Sequence, residues 1–263
     1  MSWVCPMCST SNQEEFKVCF VCDTPRKKKP ISKAKQNEMF LKASEFYNSG
    51  KYSKAIPHLQ KLAENNHIPA TVMLAKCYQN ANGVTQDLRE AYGWFLKAAK
   101  GDDAEAQYEV ACCYYLGKGT KRHFFRAMSW LEKAWKNQYI PAIKLLATFY
   151  ITGEGVDIDC DRALALLKEV EELYQREETD TEDLELLYFI GLCYVMKEMR
   201  KEALHYLKRA AENGQIDAMF ELGSCYEKGY VFFFKKRRAT YWYNQAKDNG
   251  HKGAKTALKR MGR

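Results

Sequence analysis

One unit repeats through most of this 263-residue chain. It is clearest at Ala70, Ala106 and Ala142, which stand 36 residues apart. From each alanine, a large apolar residue follows four positions later, a tyrosine eight positions later and a second alanine twenty-one positions later. A fixed period of this length is typical of helical repeat proteins, in which each unit stacks on its neighbours. The repeat therefore constrains the fold more than any single motif.

Each unit reads as two helices joined by a loop. The alanine, the apolar residue and the tyrosine stand at steps of four, which places them on one face of a helix. The loop that follows reads GKG at 117–119 and GEG at 153–155, with glycines where the chain must take positive φ. A second helix carries the later alanine. The small alanines let neighbouring helices approach, so we expect them in the core.

Residues 70–99, ATVMLAKCYQNANGVTQDLREAYGWFLKAA, resemble the Sel-one-like repeat family, a relative of the tetratricopeptide repeat. Divergent copies run through Phe40 to Leu59, Ile190 to Leu207 and Ala218 to Trp242, and residues 253–261 read as a closing helix. The resemblance covers about residues 36–261. It implies an all-α, right-handed helical-repeat solenoid of about six helix pairs, which we place at residues 37–263.

Four cysteines near the start have the spacing of a metal site. Cys5, Cys8, Cys19 and Cys22 form C-x2-C-x10-C-x2-C. Four thiolates satisfy tetrahedral Zn²⁺ at about 2.3 Å each and leave no open coordination position. A segment this short needs the metal in order to fold. We therefore predict one structural zinc ion in a module at residues 1–25, the alternatives being an adventitious cysteine pair or two disulfides.

This segment resembles the Ran-binding-protein-type zinc finger and the short bacterial zinc ribbons. Members of the first family bind single-stranded RNA or ubiquitin. The tryptophan and arginines of the RNA readers are replaced here by residues 13–17, QEEFK, whose acids repel phosphate. The Thr-Phe pair of the ubiquitin binders is replaced by Ser9-Thr10. Phe20 and Val21 remain, either as cover for the metal or as a small apolar contact surface.

The net charge of +8 is unevenly distributed. Residues 24–36 carry six Lys or Arg and no acid, and residues 169–185 carry nine acids against Arg176. We interpret residues 26–36 as a solvated basic linker, although such a run also holds an acidic surface or a nucleic-acid backbone. No apolar run is long enough to span a membrane, and no apolar h-region follows the start. Ten cysteines favour a reducing compartment and metal binding over disulfides, so we expect the protein in the cytoplasm, the alternative being the nucleus of a eukaryotic cell.

The resemblance also implies a binding groove. In tetratricopeptide arrays the first helix of each unit lines the concave face, and rigid aromatic side chains suit peptide binding. The alternative is that these side chains pack between units. Carried over to this chain, the groove positions that we select for partner binding are Tyr108, Tyr115, Lys144, Tyr188 and Phe220.

Two loops depart from the repeat pattern, as GTKRHFF at 119–125 and YVFFFKKRR at 230–238. Exposed aromatics flanked by cations suit an acidic protein surface, single-stranded nucleic acid or a lipid interface. We expect Phe124 and Phe125 to pack on the zinc module, on the closing helix or on a second chain. We expect the second loop to contact a partner through Phe232, Phe233, Phe234, Lys235, Lys236, Arg237 and Arg238.

A search for catalytic motifs finds none. The five histidines form no H-E-x-x-H motif, and the G-x-G sequences recur with the repeat as turns. The cysteines that precede the repeat tyrosine are expected in the core. We therefore predict a non-enzymatic adaptor that binds a protein or peptide, with the zinc module as a second contact. RNA binding through the zinc module, the basic linker and the KKRR segment is the alternative, and self-association is compatible with either.

Overall fold

The computed structural model describes residues 2–4, 11–13, 31–176, 183–229 and 236–262. Near the start, β1 (Ser2–Val4) pairs antiparallel with β2 (Ser11–Gln13), with Trp3 opposite Asn12. The four cysteines of the predicted zinc module lie outside the described residues, and so do residues 26–30 of the predicted basic linker. The zinc module therefore stays a prediction.

The rest of the described chain is helical. None of its helices is both long and apolar enough to cross a membrane. Thirteen helices occur in the described ranges. They are α1 (Lys33–Asn48), α2 (Tyr52–Glu64), α3 (Ile68–Asn80), α4 (Leu88–Ala99), α5 (Ala104–Leu116), α6 (Phe124–Lys136), α7 (Ile140–Thr152), α8 (Cys160–Arg176), α9 (Leu184–Met196), α10 (Arg200–Glu212), α11 (Ile216–Glu227), α12 (Lys236–Asp248) and α13 (Ala254–Met261).

The helices follow one another along the chain as six pairs and a short closing helix, so the predicted helical-repeat fold is confirmed. The contacts divide the chain into two compact units, residues 1–86 and 87–263. In the first unit, α2 packs against both α1 and α3. In the second unit, every helix from α4 to α12 packs against the next, and α9 also contacts α7 and α11.

The repeat alanines form the core, as their periodicity predicts. Ala106, Ala127, Ala142 and Ala163 are fully buried. Because alanine has no side chain beyond Cβ, the helix backbones approach closely, and large residues such as Phe149 fill the remaining space. Sequence periodicity therefore translates directly into interior packing.

The loop glycines fix how successive repeats meet. Gly119 has φ +72°, and a Cβ there would stand 1.9 Å from the carbonyl oxygen of Leu88, in the first turn of α4. The equivalent Gly155 lies against the ring of Phe124, the first residue of α6. The second loop glycine of each of these repeats thus contacts the start of the second helix of the preceding repeat. Only glycine fits both the backbone angle and this space.

Acidic caps set several helix starts. Asp103 accepts a hydrogen bond from the backbone N–H of Ala106 at 2.8 Å, and Asp159 accepts one from Arg162 at 2.9 Å. Such caps satisfy N–H groups that have no partner within the helix. The interpretation of Asp159 as part of a helix N-terminus is therefore confirmed.

Candidate functional site

The second unit contains a cleft between its first helices. Its volume is about 260 Å³, and most of its wall comes from α5, α7 and α9, with Tyr174 contributed by α8. We call it the first-helix cleft. It is lined by Tyr108, Ile140, Pro141, Lys144, Leu145, Thr148, Tyr174, Glu185 and Phe189.

Lys144 anchors the polar side of the first-helix cleft. Its ammonium group donates to Asp183 at 3.0 Å and also forms an ion pair with Glu185. Tyr174 donates its hydroxyl to the same Asp183 carboxylate at 3.1 Å. Asp183 also accepts a hydrogen bond from the backbone N–H of Leu186 at 2.9 Å. The same carboxylate therefore both caps α9 and positions Lys144.

The protonation states of this network follow from its contacts. Burial raises the pKa of Asp183, but the Leu186 N–H and the Lys144 ammonium lower it more, so the net shift is downward. Burial lowers the pKa of Lys144, but Glu185 and Asp183 raise it more, so the net shift is upward. Both groups are therefore charged at neutral pH, and the lysine is already engaged by two acids.

Tyr108 is the residue that α5 contributes to the first-helix cleft. It is half-buried, and its ring centroid stands 5.6 Å from that of Tyr139. Burial is the main cause that raises the pKa of Tyr108, with further contributions from Cys112 and Glu109. The phenol therefore stays protonated and offers a flat, neutral contact surface.

The structure brings together only two of the five predicted groove positions, Tyr108 and Lys144. Tyr115 donates its hydroxyl to Glu154 in the GEG loop at 2.6 Å. Phe220 stacks on His251 at 4.1 Å and packs against Tyr243. The Tyr115 contact joins two successive repeats, whereas the Phe220 contacts lie within the last repeat, and both side chains are half-buried.

Tyr188 lies one step from the first-helix cleft. Its ring centroid is 5.3 Å from that of Phe189, which lines the cleft. Burial, followed by the charges of Glu221 and Asp217, raises the pKa of Tyr188 to about 12. Tyr188 therefore links the cleft to the acids of α11.

The predicted basic contact segment is described only in part. Phe232, Phe233, Phe234 and Lys235 lie outside the described residues. Lys236, Arg237 and Arg238 form the exposed first turn of α12 rather than a loop. The Arg238 guanidinium lies 5.6 Å from the Tyr226 ring centroid, a cation–π contact within the same repeat.

The two aromatic residues at the start of α6, Phe124 and Phe125, have different environments. Phe124 packs against Phe149 of α7, with ring centroids 4.9 Å apart, and not against a partner that the sequence indicated. Phe125 is 76% exposed among the described residues, and its packing on the zinc module or on a second chain stays a prediction because neither is described. The helix α6 begins at Phe124, and adjacent residues on a helix point in different directions. The Phe124 ring therefore packs against Phe149, whereas the Phe125 ring is exposed.

The described cysteines are structural. Cys77, Cys113, Cys193 and Cys225 are buried and unpaired, as predicted for the position before the repeat tyrosine. Burial raises the pKa of Cys77 to about 11 and that of Cys113 to about 12. Among the described residues, no cluster of His, Cys, Asp or Glu side chains is arranged to hold a metal ion.

The sequence predicted two of the nine residues that line the first-helix cleft, Tyr108 and Lys144, and missed the other seven. Leu145 and Phe189 directly follow the predicted groove positions Lys144 and Tyr188. Including the residue after each predicted position would therefore have found both of them. Asp183 and Glu185 were read only as part of an acidic stretch. Their contacts with Lys144 link residues about forty positions apart, and a single sequence carries no signal for such a pairing.

The repeats match a known family. The Sel1 repeat model, which describes the Sel-one-like repeat, matches residues 68–103, 104–137, 140–169, 186–215 and 216–251, more than half of the chain. The first predicted copy, which forms α1 and α2, precedes these matches. No curated protein sequence matches the chain significantly.

Solved structures agree with this match. A Sel1 repeat protein from Oxalobacter formigenes is 26% identical with a TM-score of 0.69, over 84% of this chain and 86% of that chain. The protective antigen c5321 of uropathogenic Escherichia coli, with an SLR fold, is 19% identical with a TM-score of 0.53, over 86% of this chain and 56% of that one. The tetratricopeptide protein YrrB is 22% identical with a TM-score of 0.55, over 76% and 97%. Five repeat matches along one helical array show that this chain belongs to the Sel1 repeat family.

Proposed function

We propose that this protein is an interaction scaffold that binds a peptide segment of a protein partner in the first-helix cleft. The observation that carries the proposal is the cleft itself, in which three first helices supply an apolar wall and one charged network. First helices also line the binding groove in the tetratricopeptide arrays that the repeat resembles. YrrB, a structural neighbour of this fold, is described as having an unusual peptide-binding site.

The dimensions of the first-helix cleft favour a side chain over a small molecule. Its volume of about 260 Å³ lies below the roughly 300–1,000 Å³ of sites for small molecules and cofactors. Leu145, Phe189 and Ile140 offer apolar surface, and the Lys144 network offers polar partners at one side. A single buried anchor residue with a polar surround is a common basis of peptide affinity.

The chemistry of the first-helix cleft supports binding rather than catalysis. Sel1 and tetratricopeptide scaffolds are generally non-enzymatic. The nearest thiol, Cys112, beside Tyr108, has its pKa raised to about 11, with burial as the main cause. It is therefore a neutral thiol at pH 7, and a neutral thiol is a weak nucleophile.

Peptide display tests this proposal. A random peptide library is selected on the full chain, and the affinity of enriched peptides is then measured for the wild type and for Leu145→Ala. Removal of an anchor contact at an interface core costs more than about 1 kcal/mol, so we expect a loss of at least about fivefold.

Leu164→Ala is the matched control, because Leu164 is also a half-buried leucine but does not line the cleft. It should bind the enriched peptides as the wild type does. Failure to enrich any peptide, or equal affinity of Leu145→Ala and the wild type, would show that the cleft is not the binding site.

We also propose that Cys5, Cys8, Cys19 and Cys22 hold one structural zinc ion. Their spacing supports this, and so does the antiparallel pairing of β1 with β2, which brackets the first cysteine pair in the sequence. The protein prepared without chelator should contain about one zinc per chain. Cys22→Ser should lower that content, whereas Cys160→Ser, at a partly exposed helix start, should not. Zinc-free protein would refute the proposal.

We propose the basic segment of repeat six as a second contact surface. Lys236, Arg237 and Arg238 are exposed in the first turn of α12, which supports their access to an acidic partner. Replacing Lys236 and Arg237 by glutamate should reduce partner binding, and unchanged binding would remove this segment from the interface.

We also propose that the protein works in a reducing compartment, the cytoplasm. The unpaired thiols of the described residues support this.

A further inference from the structure

The connections within repeats three and four lie side by side along one edge of the second unit. Residues 116–126 span the connection from α5 to α6, and residues 153–161 span that from α7 to α8. Together we call them the loop edge. Glu154 in the second connection accepts hydrogen bonds from the Tyr115 hydroxyl at 2.6 Å and from the Arg122 guanidinium at 2.9 Å. These bonds hold the two connections next to each other.

Apolar side chains are exposed along the loop edge. Among the described residues of the second unit, four large apolar side chains are more than half exposed, and three of them lie here. They are Leu116 at 53%, Phe125 at 76% and Ile158 at 57%. Clustered exposure of this kind marks an interaction surface, because contact between water and apolar groups is unfavourable.

The two halves of the loop edge carry opposite charges. Residues 117–126 contain four Lys or Arg and no acid, whereas residues 153–161 contain four Asp or Glu and no cation. We call them the cationic half and the acidic half. Several of these charges already have partners in the chain. Lys121 and Asp157 are exposed, and among the described residues neither forms an ion pair.

A partner of uniform charge fits only one half of the loop edge. An acidic peptide or a nucleic-acid backbone is attracted by the cationic half and repelled by the acidic half, and a basic segment meets the reverse. A second copy of this chain fits both. If a two-fold axis passes between the two connections, the cationic half of each copy lies on the acidic half of the other. The same rotation places the half that carries Leu116 and Phe125 opposite the half that carries Ile158.

We propose that this chain forms a two-fold dimer through the loop edge, with Lys121 of each copy facing Asp157 of the other. The exposed apolar side chains of both copies are buried between them. Of the partners that the sequence indicates for the Phe125 ring, the dimer selects a second chain. None of the residues that line the first-helix cleft belongs to the loop edge. The dimer therefore carries two clefts, and the inference goes beyond the proposed function.

Charge reversal tests the dimer on the full chain. Sedimentation velocity over a range of concentrations measures dimerisation. Lys121→Glu places two acids together at each of two symmetry-related contacts, and Asp157→Lys places two lysines there. Each variant should dimerise at least about tenfold more weakly than the wild type, because juxtaposed like charges are unfavourable at both contacts. A wild type that is monomeric at every concentration, or unchanged dimerisation in both variants, would overturn the proposal.

Mixing the two variants distinguishes this dimer from other contacts. In the mixed dimer, the new acid of one chain faces the new lysine of the other, and the remaining Lys121 and Asp157 face each other. An equimolar mixture should therefore dimerise as the wild type does, and so should the double variant. If the single variants are monomeric and their mixture is monomeric too, the two residues do not face each other, and the proposed pairing is wrong.

An apolar variant tests the burial of Phe125. Phe125→Ser should weaken dimerisation at least about tenfold, because both copies lose a buried anchor. Tyr241→Ser is the matched control, since Tyr241 is an aromatic residue of α12 that is 55% exposed and lies outside the loop edge. It should dimerise as the wild type does. Circular dichroism checks the helical fold of each variant. Equal losses in both variants, or no loss with Phe125→Ser, would overturn the assignment of the interface to the loop edge.

Discussion

The same position of the repeat has different roles in the middle and at the closing end of the second unit. Tyr108 and Lys144 occupy this position on α5 and α7, and both line the first-helix cleft. Phe220 occupies it on α11, where it stacks on His251 at 4.1 Å and packs against Tyr243. Repeat position therefore selects a helix face, whereas the neighbouring elements decide whether that face is open or covered.

A polar cluster holds together the helices at the closing end of the second unit. Glu227, at the end of α11, accepts hydrogen bonds from Arg260 of α13 at 2.6 and 3.0 Å. Tyr243 of α12 donates to the same carboxylate at 2.6 Å. A single side chain thus connects the last three described helices.

The largest expected effect concerns the loops that hold the middle repeats in place. Gly119→Ala combines left-handed backbone strain with a clash at the Leu88 carbonyl, and should destabilise the protein by about 3 kcal/mol or more. Gly117→Ala has the same φ of +72° but no contact closer than 3.6 Å, so strain alone should destabilise by about 1–2 kcal/mol. Urea unfolding measures both, and equal losses would contradict the role of the close contact.

The next prediction distinguishes packing from peptide binding at the repeat position that Tyr108 and Phe220 share. Phe220→Ala removes a covered aromatic and should destabilise by about 2–3 kcal/mol, since the ring is half-buried and full burial gives roughly 3–5. Tyr108→Ala should destabilise less and should weaken peptide binding more. Thermal unfolding and anisotropy measure the two quantities. A larger binding loss for Phe220→Ala at unchanged stability would reverse the comparison.

A smaller effect is expected from the polar cluster of the closing end. Bonds from Arg260 and Tyr243 outweigh burial and lower the pKa of Glu227. Because a depressed pKa stabilises the folded state above the unfolded value, this contribution is lost as the pH falls through the carboxyl range. Glu227→Gln should therefore lower the Tm at pH 7 and have less effect near pH 4. Glu212→Gln, an exposed acid on α10, is the control and should leave the Tm unchanged at both values.

The smallest effect has the opposite sign. Burial raises the pKa of Glu221, so its stability contribution is present at low pH and is lost as the pH rises through the folded value. Glu221→Gln should therefore raise the Tm slightly at pH 7, and the gain should shrink on acidification. A lower Tm at pH 7 would mean that the Glu221 charge is already compensated in the folded protein.

Much of the fold was predictable from local signals. The period of 36 residues located Ala106 and Ala142 in the core, the G-x-G loops at their positive-φ turns and the closing helix at α13. The exposure of Phe125 was not predicted, because a loop was expected where α6 begins and the helix directs this side chain away from Phe149. Most of the first-helix cleft was missed because residues such as Glu185 and Lys144 meet only in the folded chain.

The sequence by itself determined the helical pairs, the buried faces and the family, because these depend on spacings that recur within one unit. Tertiary structure alone decided which of the equivalent positions stay open. Tyr108 and Phe220 carry similar side chains at one repeat position, yet His251 and Tyr243 cover only the second. Exposure depends on which elements pack against a face, and that information is spread over residues distant in the chain.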